Sequence, residues 1–468
     1  MIDFPEDIKG SIVPTYTGRV VYECVGCGAH HPIQKFLYTC PGCGSLLSLR
    51  DLTFDQLTRL GGDYWRKLFA WRALAREPRS LKGIFRFHEL ILPCVPPADV
   101  IWLGEGHTPL VPANDDLARI VGAPFLIKYD GLNPSASFKD RGMASAISYL
   151  NHALRHWHTG QVLGICASTG DTSAAAALYL SYLPKGRVSS VVLLPKGKVT
   201  PQQLSQPLGS GARVIEVPGV FDDCMKLVEE LSRDYDVFLL NSKNPLRING
   251  QKSYAYEVAM ENGWRTRDLA VIVPIGNAGN VTAIMEGFLD LLRLGVIDAL
   301  PMVVGVQSLH ANPVYRWRKR GVYEPVTVTP STAQAAMIGN PVSFPKVRKL
   351  VEEHFRERFA VVEVTEQQIM DGMLTANRHG HVICTQGGEG VAGLSAALAQ
   401  KIVEPGMTLV VDSTAHQLKF ADFQQKYFDG SLAPEYEVTP REELRNAPVS
   451  LPASAREIAD FLGLAPRT

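Results

Sequence analysis

Asn133-Pro134-Ser135-Ala136-Ser137-Phe138-Lys139-Asp140-Arg141-Gly142-Met143 is the stretch on which the reading of this chain turns. The residue before a proline is pushed to extended angles, so Asn133-Pro134-Ser135 leads in as a turn. From Arg141 onward apolar residues fall at Met143, Ile147, Leu150, Leu154 and Trp157, a helical period. The pattern places Lys139 at or near a helix N-terminus. There the helix dipole and the neighbouring Arg141 both disfavour its ammonium form. A lysine amine left partly neutral near pH 7 attacks carbonyls and forms Schiff bases. Alone, Lys-Asp-Arg reads equally well as a solvated charge run opening a surface helix. The stretches around it decide between the two.

Outward from this segment, apolar strand-length runs alternate with helix-length patterns from about residue 100 to 430. The strand candidates are Phe125–Lys128, Val162–Ala167, Val188–Leu194, Val214–Val217, Phe238–Leu240, Ala270–Pro274, Val303–Val306, Ala360–Val364 and Leu409–Val411. Their Val, Ile and Leu content suits strands buried on both faces. Helices are expected between them, among them Asp222–Tyr235 and Val281–Leu292, with a capping box at Thr365 and Gln368. Such alternation predicts an α/β fold with parallel sheets. Nine strands exceed one comfortable sheet, so two α/β domains with a cleft between them are expected.

Before this body lie Cys24-Val25-Gly26-Cys27-Gly28 and Cys40-Pro41-Gly42-Cys43-Gly44. Two such knuckles supply four thiolates, Cys24, Cys27, Cys40 and Cys43, to a tetrahedral zinc, and iron fits the same sulfurs less commonly. The metal is expected to staple a ribbon module over residues 1–50, too short to hold a core unaided. Residues 51–100 read as a helical connector carrying Leu57, Leu60, Trp65, Leu68, Phe69 and Trp71. The tail, 431–468, is proline-rich and charged and is expected to wrap the surface.

Composition narrows the function classes. The 468 residues carry 47 basic and 47 acidic side chains, which argues against nucleic-acid binding through bulk charge. Apolar runs are strand-length rather than membrane-spanning, and the acidic first ten residues lack a secretory core. The two CxxC units, with Cys94, Cys166, Cys224 and Cys384 scattered elsewhere, suit metal binding in a reducing cytoplasm.

Four further loops follow strands. Ser168-Thr169-Gly170-Asp171-Thr172 opens a helix whose free amides suit a carboxylate, with ordinary N-capping as the alternative. Gly276-Asn277-Ala278-Gly279-Asn280 suits a phosphate at a helix start, without the dinucleotide or P-loop spacing. Asn241-Ser242-Lys243-Asn244-Pro245-Leu246-Arg247 gathers amide, hydroxyl and guanidinium donors, tools for a phosphate ester or the parts of a capped turn. Asp412-Ser413-Thr414-Ala415-His416 sits at a strand end, where α/β sheets place ligands.

Together and in this order, NPSASFKDRGM, ASTGDTSAAA, NSKNPLR, GNAGN and STAHQLKF, with GEGHTPL at Gly104–Leu110, resemble the threonine synthase family over about residues 80–430. The resemblance implies pyridoxal-phosphate fold type II, and some branches carry a zinc ribbon in front. It implies a large cofactor domain from 101–134 and 246–430 and a small domain from 135–245. It implies that Lys139 is the Schiff-base lysine and moves protons on the substrate. Gly276, Asn277, Ala278, Gly279 and Asn280 would hold the cofactor phosphate, Thr414 the pyridine nitrogen, and Asp171 would lie near the phenolic oxygen. Ser168 and Thr169 would receive the substrate carboxylate, and Thr172, Asn241, Ser242 and Arg247 its phosphate. Many relatives have asparagine where this chain has Asp171, and a carboxylate cannot donate to a phenolate. The implied reaction turns O-phospho-L-homoserine and water into L-threonine and phosphate, in a homodimer or monomer with no nucleic-acid or membrane partner. Cysteate synthase-like replacement on O-phosphoserine and a non-catalytic ligand-binding scaffold are the alternatives.

Overall fold

A computed structural model describes residues 4–75, 81–168, 170–196, 201–219 and 221–465. Three strands near the N-terminus, β1 (Val20–Cys24), β2 (His30–Pro32) and β3 (Leu47–Asp51), form an antiparallel sheet with β1 in the middle. Ten more follow: β4 (Leu110–Pro112), β5 (Leu126–Tyr129), β6 (Val162–Ala167), β7 (Val188–Pro195), β8 (Arg213–Val217), β9 (Val237–Leu239), β10 (Leu269–Pro274), β11 (Met302–Ser308), β12 (Phe359–Val364) and β13 (Thr408–Ser413). They make two sheets, ordered β12-β11-β10-β13-β5-β4 and β8-β7-β6-β9. Every pairing in both is parallel except that of β4 with β5.

All nine strands expected from apolar runs are present, shifted at most two residues at their ends. β10 and β11 are buried along their whole length, as strands covered on both faces must be. β4 escaped the sequence pattern because it is three residues long and ends in Pro112. Proline is tolerated there because β4 is the outermost strand.

The connector departs from expectation. Instead of one amphipathic run it breaks into Asp55–Thr58, Gly62–Leu74, a tight turn at Gly83–Phe87 and His88–Ile91. The break at Gly61-Gly62 has a cause: a Cβ on Gly62 would lie 1.9 Å from the carbonyl oxygen of Gly295, so only glycine allows this approach. Leu60, read as part of the apolar face, is 49% exposed. Trp65, Leu68, Phe69 and Phe87 share one hydrophobic core with Tyr22 and Leu47 of the ribbon and Tyr256 of the body. Arg72 and Glu89 are buried together, joined by two bonds of 2.7 Å.

The tail packs against the helix Glu366–Arg378, whose capping box at Thr365 and Gln368 is formed. Arg441 pairs with Asp371 at 2.7 Å, and Arg378 donates to the carbonyl of Arg445 at 3.0 Å. Among the described residues no helix is long and apolar enough to cross a membrane.

Candidate active site

Lys139 is the first residue of an 18-residue helix, Lys139–His156. Its lead-in is stitched to the end of β13. Phe138 N–H donates to the carbonyl of Thr414 at 2.9 Å, and His416 N–H to that of Ala136 at 3.0 Å. Ala136 takes a left-handed φ of 64° to make this turn. Ser135 N–H donates to Asp140 Oδ2 at 2.6 Å, and burial pushes that carboxyl up to about 7. Two sequence segments some 275 residues apart thereby become one wall.

Enclosure by protein and the nearby Arg247 guanidinium push the Lys139 ammonium down to about 8, with Asp171 working in the opposite direction. The expected depression is present, but Arg141 is not its source. Its guanidinium turns away and is neutralised by Asp130 at 2.7 Å and Glu257 at 2.8 Å, all three buried.

The turn after β10 forms the opposite wall. Ala278 adopts φ 61°, ψ 5° as the cap of the helix Gly279–Arg293, in the left-handed region. A Cβ on Gly276 would lie 3.0 Å from the carbonyl oxygen of Ala335. Asn277 is held by the strap around residue 342: its carbonyl accepts from Ser343 N–H at 3.1 Å and its Oδ1 from Val342 N–H at 3.4 Å. Asn280 donates its amide to Asp412 Oδ2 at 2.7 Å.

One cavity brings together Lys139, Asp171, Ser242, Arg247, all of 276–280 and Thr414. Arg247 is 3% exposed, and its guanidinium is pushed down to about 10 by burial. Asn244 caps the helix Pro245–Gln251 by accepting from Leu246 N–H, so the capped turn and the donor cluster coexist.

Ser168 and Thr172 do not line this cavity, and Thr169 lies outside the described residues. Ser168 Oγ accepts from Gly170 N–H at 3.2 Å. The amide of Asn241 is spent on Ala167, taking its N–H at 3.0 Å and bonding its carbonyl at 2.6 Å. That tie joins β9 to the end of β6 and keeps Asn241 from the cavity, where a phosphate ligand was expected.

The cavity also takes in Gln251, Ala335, Ala336 and Gln386, which sequence reasoning missed. Gln386 opens the helix Thr385–Ala399, and its Thr-Gln-Gly-Gly start was a legible anion-loop signal. Nothing in the sequence around Ala335 or Ser343 marks them.

A lysine of lowered pKa facing a glycine cradle at a helix start fits an aldehyde with an anionic tail. Two buried donors agree. Among the described residues Arg247 Nε and Ser343 Oγ have no hydrogen-bond partner. Ser343 Oγ lies 3.8 Å from where a Cβ on Gly279 would stand.

In the ribbon, Cys24 and Cys43 bring their sulfurs to 3.4 Å and Cys27 and Cys40 to 3.8 Å. All four lie within 4.8 Å of one another, the spread a single tetrahedral ion requires.

Residues 101–413 match the family described as pyridoxal-phosphate dependent enzyme. The chain is 34% identical over 407 residues to a threonine synthase of Methanocaldococcus jannaschii, covering 86% of this chain and 94% of the relative. It is 33% identical over 429 residues to chloroplastic threonine synthase 2 of Arabidopsis thaliana, covering 90% and 79%. In fold it is similar to the PLP-bound threonine synthase of Brucella melitensis, with a TM-score of 0.64, 18% identity and 95% of each chain covered.

Proposed function

The chain belongs to the threonine synthase family of pyridoxal-phosphate dependent enzymes, and from that premise we propose that it converts O-phospho-L-homoserine and water into L-threonine and phosphate. The observation that carries this reading is the single cavity in which a lysine amine, a glycine cradle and a second anion site, Ser242 with Arg247, face one another. A cofactor with one phosphate would fill the cradle, and the donors that remain, Ser242 and Arg247, suit a substrate that brings a phosphate of its own.

Lys139 would hold the cofactor's aldehyde, 276–280 with Ser343 its phosphate, and Thr414 its ring nitrogen. When bound, the cofactor supplies an electron sink for charge developing at the substrate carbons. Lys139 Nζ takes one proton from each of the α- and β-carbons and returns one to each of the α- and γ-carbons, a task suited to an amine whose pKa lies near neutrality. Arg247 and Ser242 bind the phosphate ester and stabilise the charge that builds as the bond from the γ-carbon to oxygen breaks. The oxygen of water bonds to the β-carbon in place of the proton lost there, and the second proton of that water leaves with the phosphate. The amides opening the Asp171 helix, at the cavity wall, receive the substrate carboxylate. Thr414 would meet the ring nitrogen with a neutral hydroxyl, a partner that does not force that nitrogen to stay protonated.

The four cysteines would hold one structural zinc. The test of the reaction is phosphate release from O-phospho-L-homoserine set against release from O-phospho-L-serine with sulfite. Release from the first with threonine as product is expected. Release only from the second would replace this reading with the cysteate synthase-like one.

A further inference from the structure

Lys419 has no part in the reaction above, yet its ammonium stands where three other chain segments meet. Its Nζ lies 3.0 Å from Asp171 Oδ1, 3.0 Å from Gln206 Oε1 and 2.9 Å from the carbonyl of Ser135. Gln206 and Ser135 accept hydrogen bonds from it, while Asp171 Oδ1 meets it as an ion pair outside hydrogen-bond geometry. Gln206 itself donates to the same carbonyl of Ser135 at 3.2 Å. Asp171 opens the helix after β6, Gln206 lies in the helix Pro201–Gly209, and Ser135 leads into Lys139. Lys419 follows Thr414 by five residues, in the turn Gln417–Phe420. One cation therefore ties two helices that flank the four-stranded sheet to the loop carrying the reactive lysine.

Position 171 is where a side-chain donor is missing. A carboxylate offers none, whereas the neighbouring ammonium offers three. The Asp171 and Lys419 side chains are 5% and 15% exposed, so solvent screens the pair weakly. Asp171 lines the same cavity as Lys139.

We propose that Asp171 and Lys419 act as one unit in which Lys419 is a positioning residue, fixing the Asp171 carboxylate at the cavity wall so that the pair sets the proton affinity of the Lys139 nitrogen. This rests on the reading of Lys139 as the cofactor-binding lysine. The charged and titratable groups that face Lys139 are Arg247 from the helix after β9, Asp171, the Cys166 thiol at the end of β6, Lys419, and Asp412 on β13. Arg247 and Lys419 oppose its ammonium, and Asp171 supports it. Removing Asp171 must therefore lower the proton affinity of Lys139, removing Lys419 must raise it, and removing both must give a value between the two. A salt bridge that merely braces the fold has no such sign pattern.

The test is the pH midpoint for capture of pyridoxal phosphate by the cofactor-stripped full chain, followed as growth of the visible absorbance band. Lys419→Gln leaves Asp171 unopposed and is expected to raise the midpoint by about one pH unit, the shift typical of one nearby charge. Asp171→Asn is expected to lower it by a similar amount. The double variant is expected to fall between the two single variants, and Lys419→Arg to keep the wild-type midpoint. An unmoved midpoint in either charge-removing single variant, or movement of both in one direction, overturns the proposal. Should Lys419→Gln not fold, Lys419→Arg against Asp171→Asn decides it: Asn must lower the midpoint and Arg must not. A wild-type chain that forms no band at all would instead overturn the cofactor assignment itself.

Discussion

The hydroxyl of Tyr38 accepts the N–H of Leu239 at 2.8 Å and donates to the carbonyl of Val237 at 3.1 Å. β9 is an outer strand of its sheet, so the phenol satisfies edge groups that have no further strand to pair with. Phe36 adds an edge-on contact with Phe238, ring centroids 5.0 Å apart. On its other flank the ribbon receives Lys346 Nζ at the carbonyl of Leu47, 2.7 Å away. The N-terminal module thus grips the outer strand of one α/β sheet and the helix Phe344–Leu350 of the body, and β9 runs from the first of these to Ser242 in the cavity.

Tyr38→Phe removes the shared hydroxyl and leaves two backbone groups of β9 unpaired. The cost is about 1–3 kcal/mol, the penalty for orphaning a buried polar group. Thermal unfolding is expected to shift downward. Because Ser242 follows the loosened strand, KM for the phosphorylated substrate is expected to rise more than kcat falls. Unchanged KM in a destabilised variant would separate the ribbon from the site.

Lys139 carries the reaction in this reading, and its ammonium is held near pH 8 rather than at the ordinary lysine value. Only the neutral amine attacks an aldehyde. Capture of pyridoxal phosphate by the stripped chain is therefore expected to speed up between pH 7 and 9 and to level off above. Lys139→Ala is expected to abolish the visible band and to cut turnover by at least about 10³-fold, since it removes both attachment and proton transfer. A midpoint near the ordinary lysine range would mean that burial and Arg247 do not act as argued.

The strand run from β5 to β13 was legible because buried parallel strands need apolar residues at every position, a signal that survives without tertiary context. Lys139, the 276–280 turn, Thr414 and Arg247 were legible because glycine and donor residues cluster at strand ends. Arg141 was misread because its charge is cancelled by Asp130 and Glu257, the latter 116 residues further along the chain. Asn241 was misread for a similar reason, its partner Ala167 being 74 residues away. Ala335 reaches the cavity, and Ser343 the 276–280 turn, only through the fold. Lys419 stood in plain view inside STAHQLKF, but its partner Asp171 belongs to another sheet's helix.

Asn280 and Asp412 form a pair whose loss should be felt at the cofactor phosphate. Asp412 is buried, and burial together with Asp130 pushes its carboxyl well above the ordinary range. Asn280 is its hydrogen-bond donor, while its other oxygen, Oδ1, has no partner among the described residues. Asn280→Ala orphans the second oxygen as well and frees the turn that Ala278 holds in a left-handed conformation. A cost of about 1–3 kcal/mol follows, equivalent to roughly 5- to 150-fold weaker cofactor retention. Dialysis against buffer, followed by the visible band, measures it. Full retention would show that the turn holds its shape without this bond.

The metal prediction separates folding from chemistry. Tyr38 lies between the two cysteine pairs, on the loop that a zinc ion would close. The expected content is one zinc per chain by elemental analysis, lost in Cys24→Ser or Cys40→Ser. Stripping the metal opens the loop, so the Tyr38 grip on β9 is expected to fail along with it: proteolysis between Cys27 and Cys40 should accelerate and the melting temperature should fall. Lys139 and the 276–280 turn belong to the body, so the stripped protein is still expected to form the visible band with pyridoxal phosphate while KM for the substrate rises as in Tyr38→Phe. Agreement between those two KM shifts is the decisive comparison. If chelation lowered the melting temperature but left KM alone, the ribbon would be a stabilising cap with no hold on the substrate pocket.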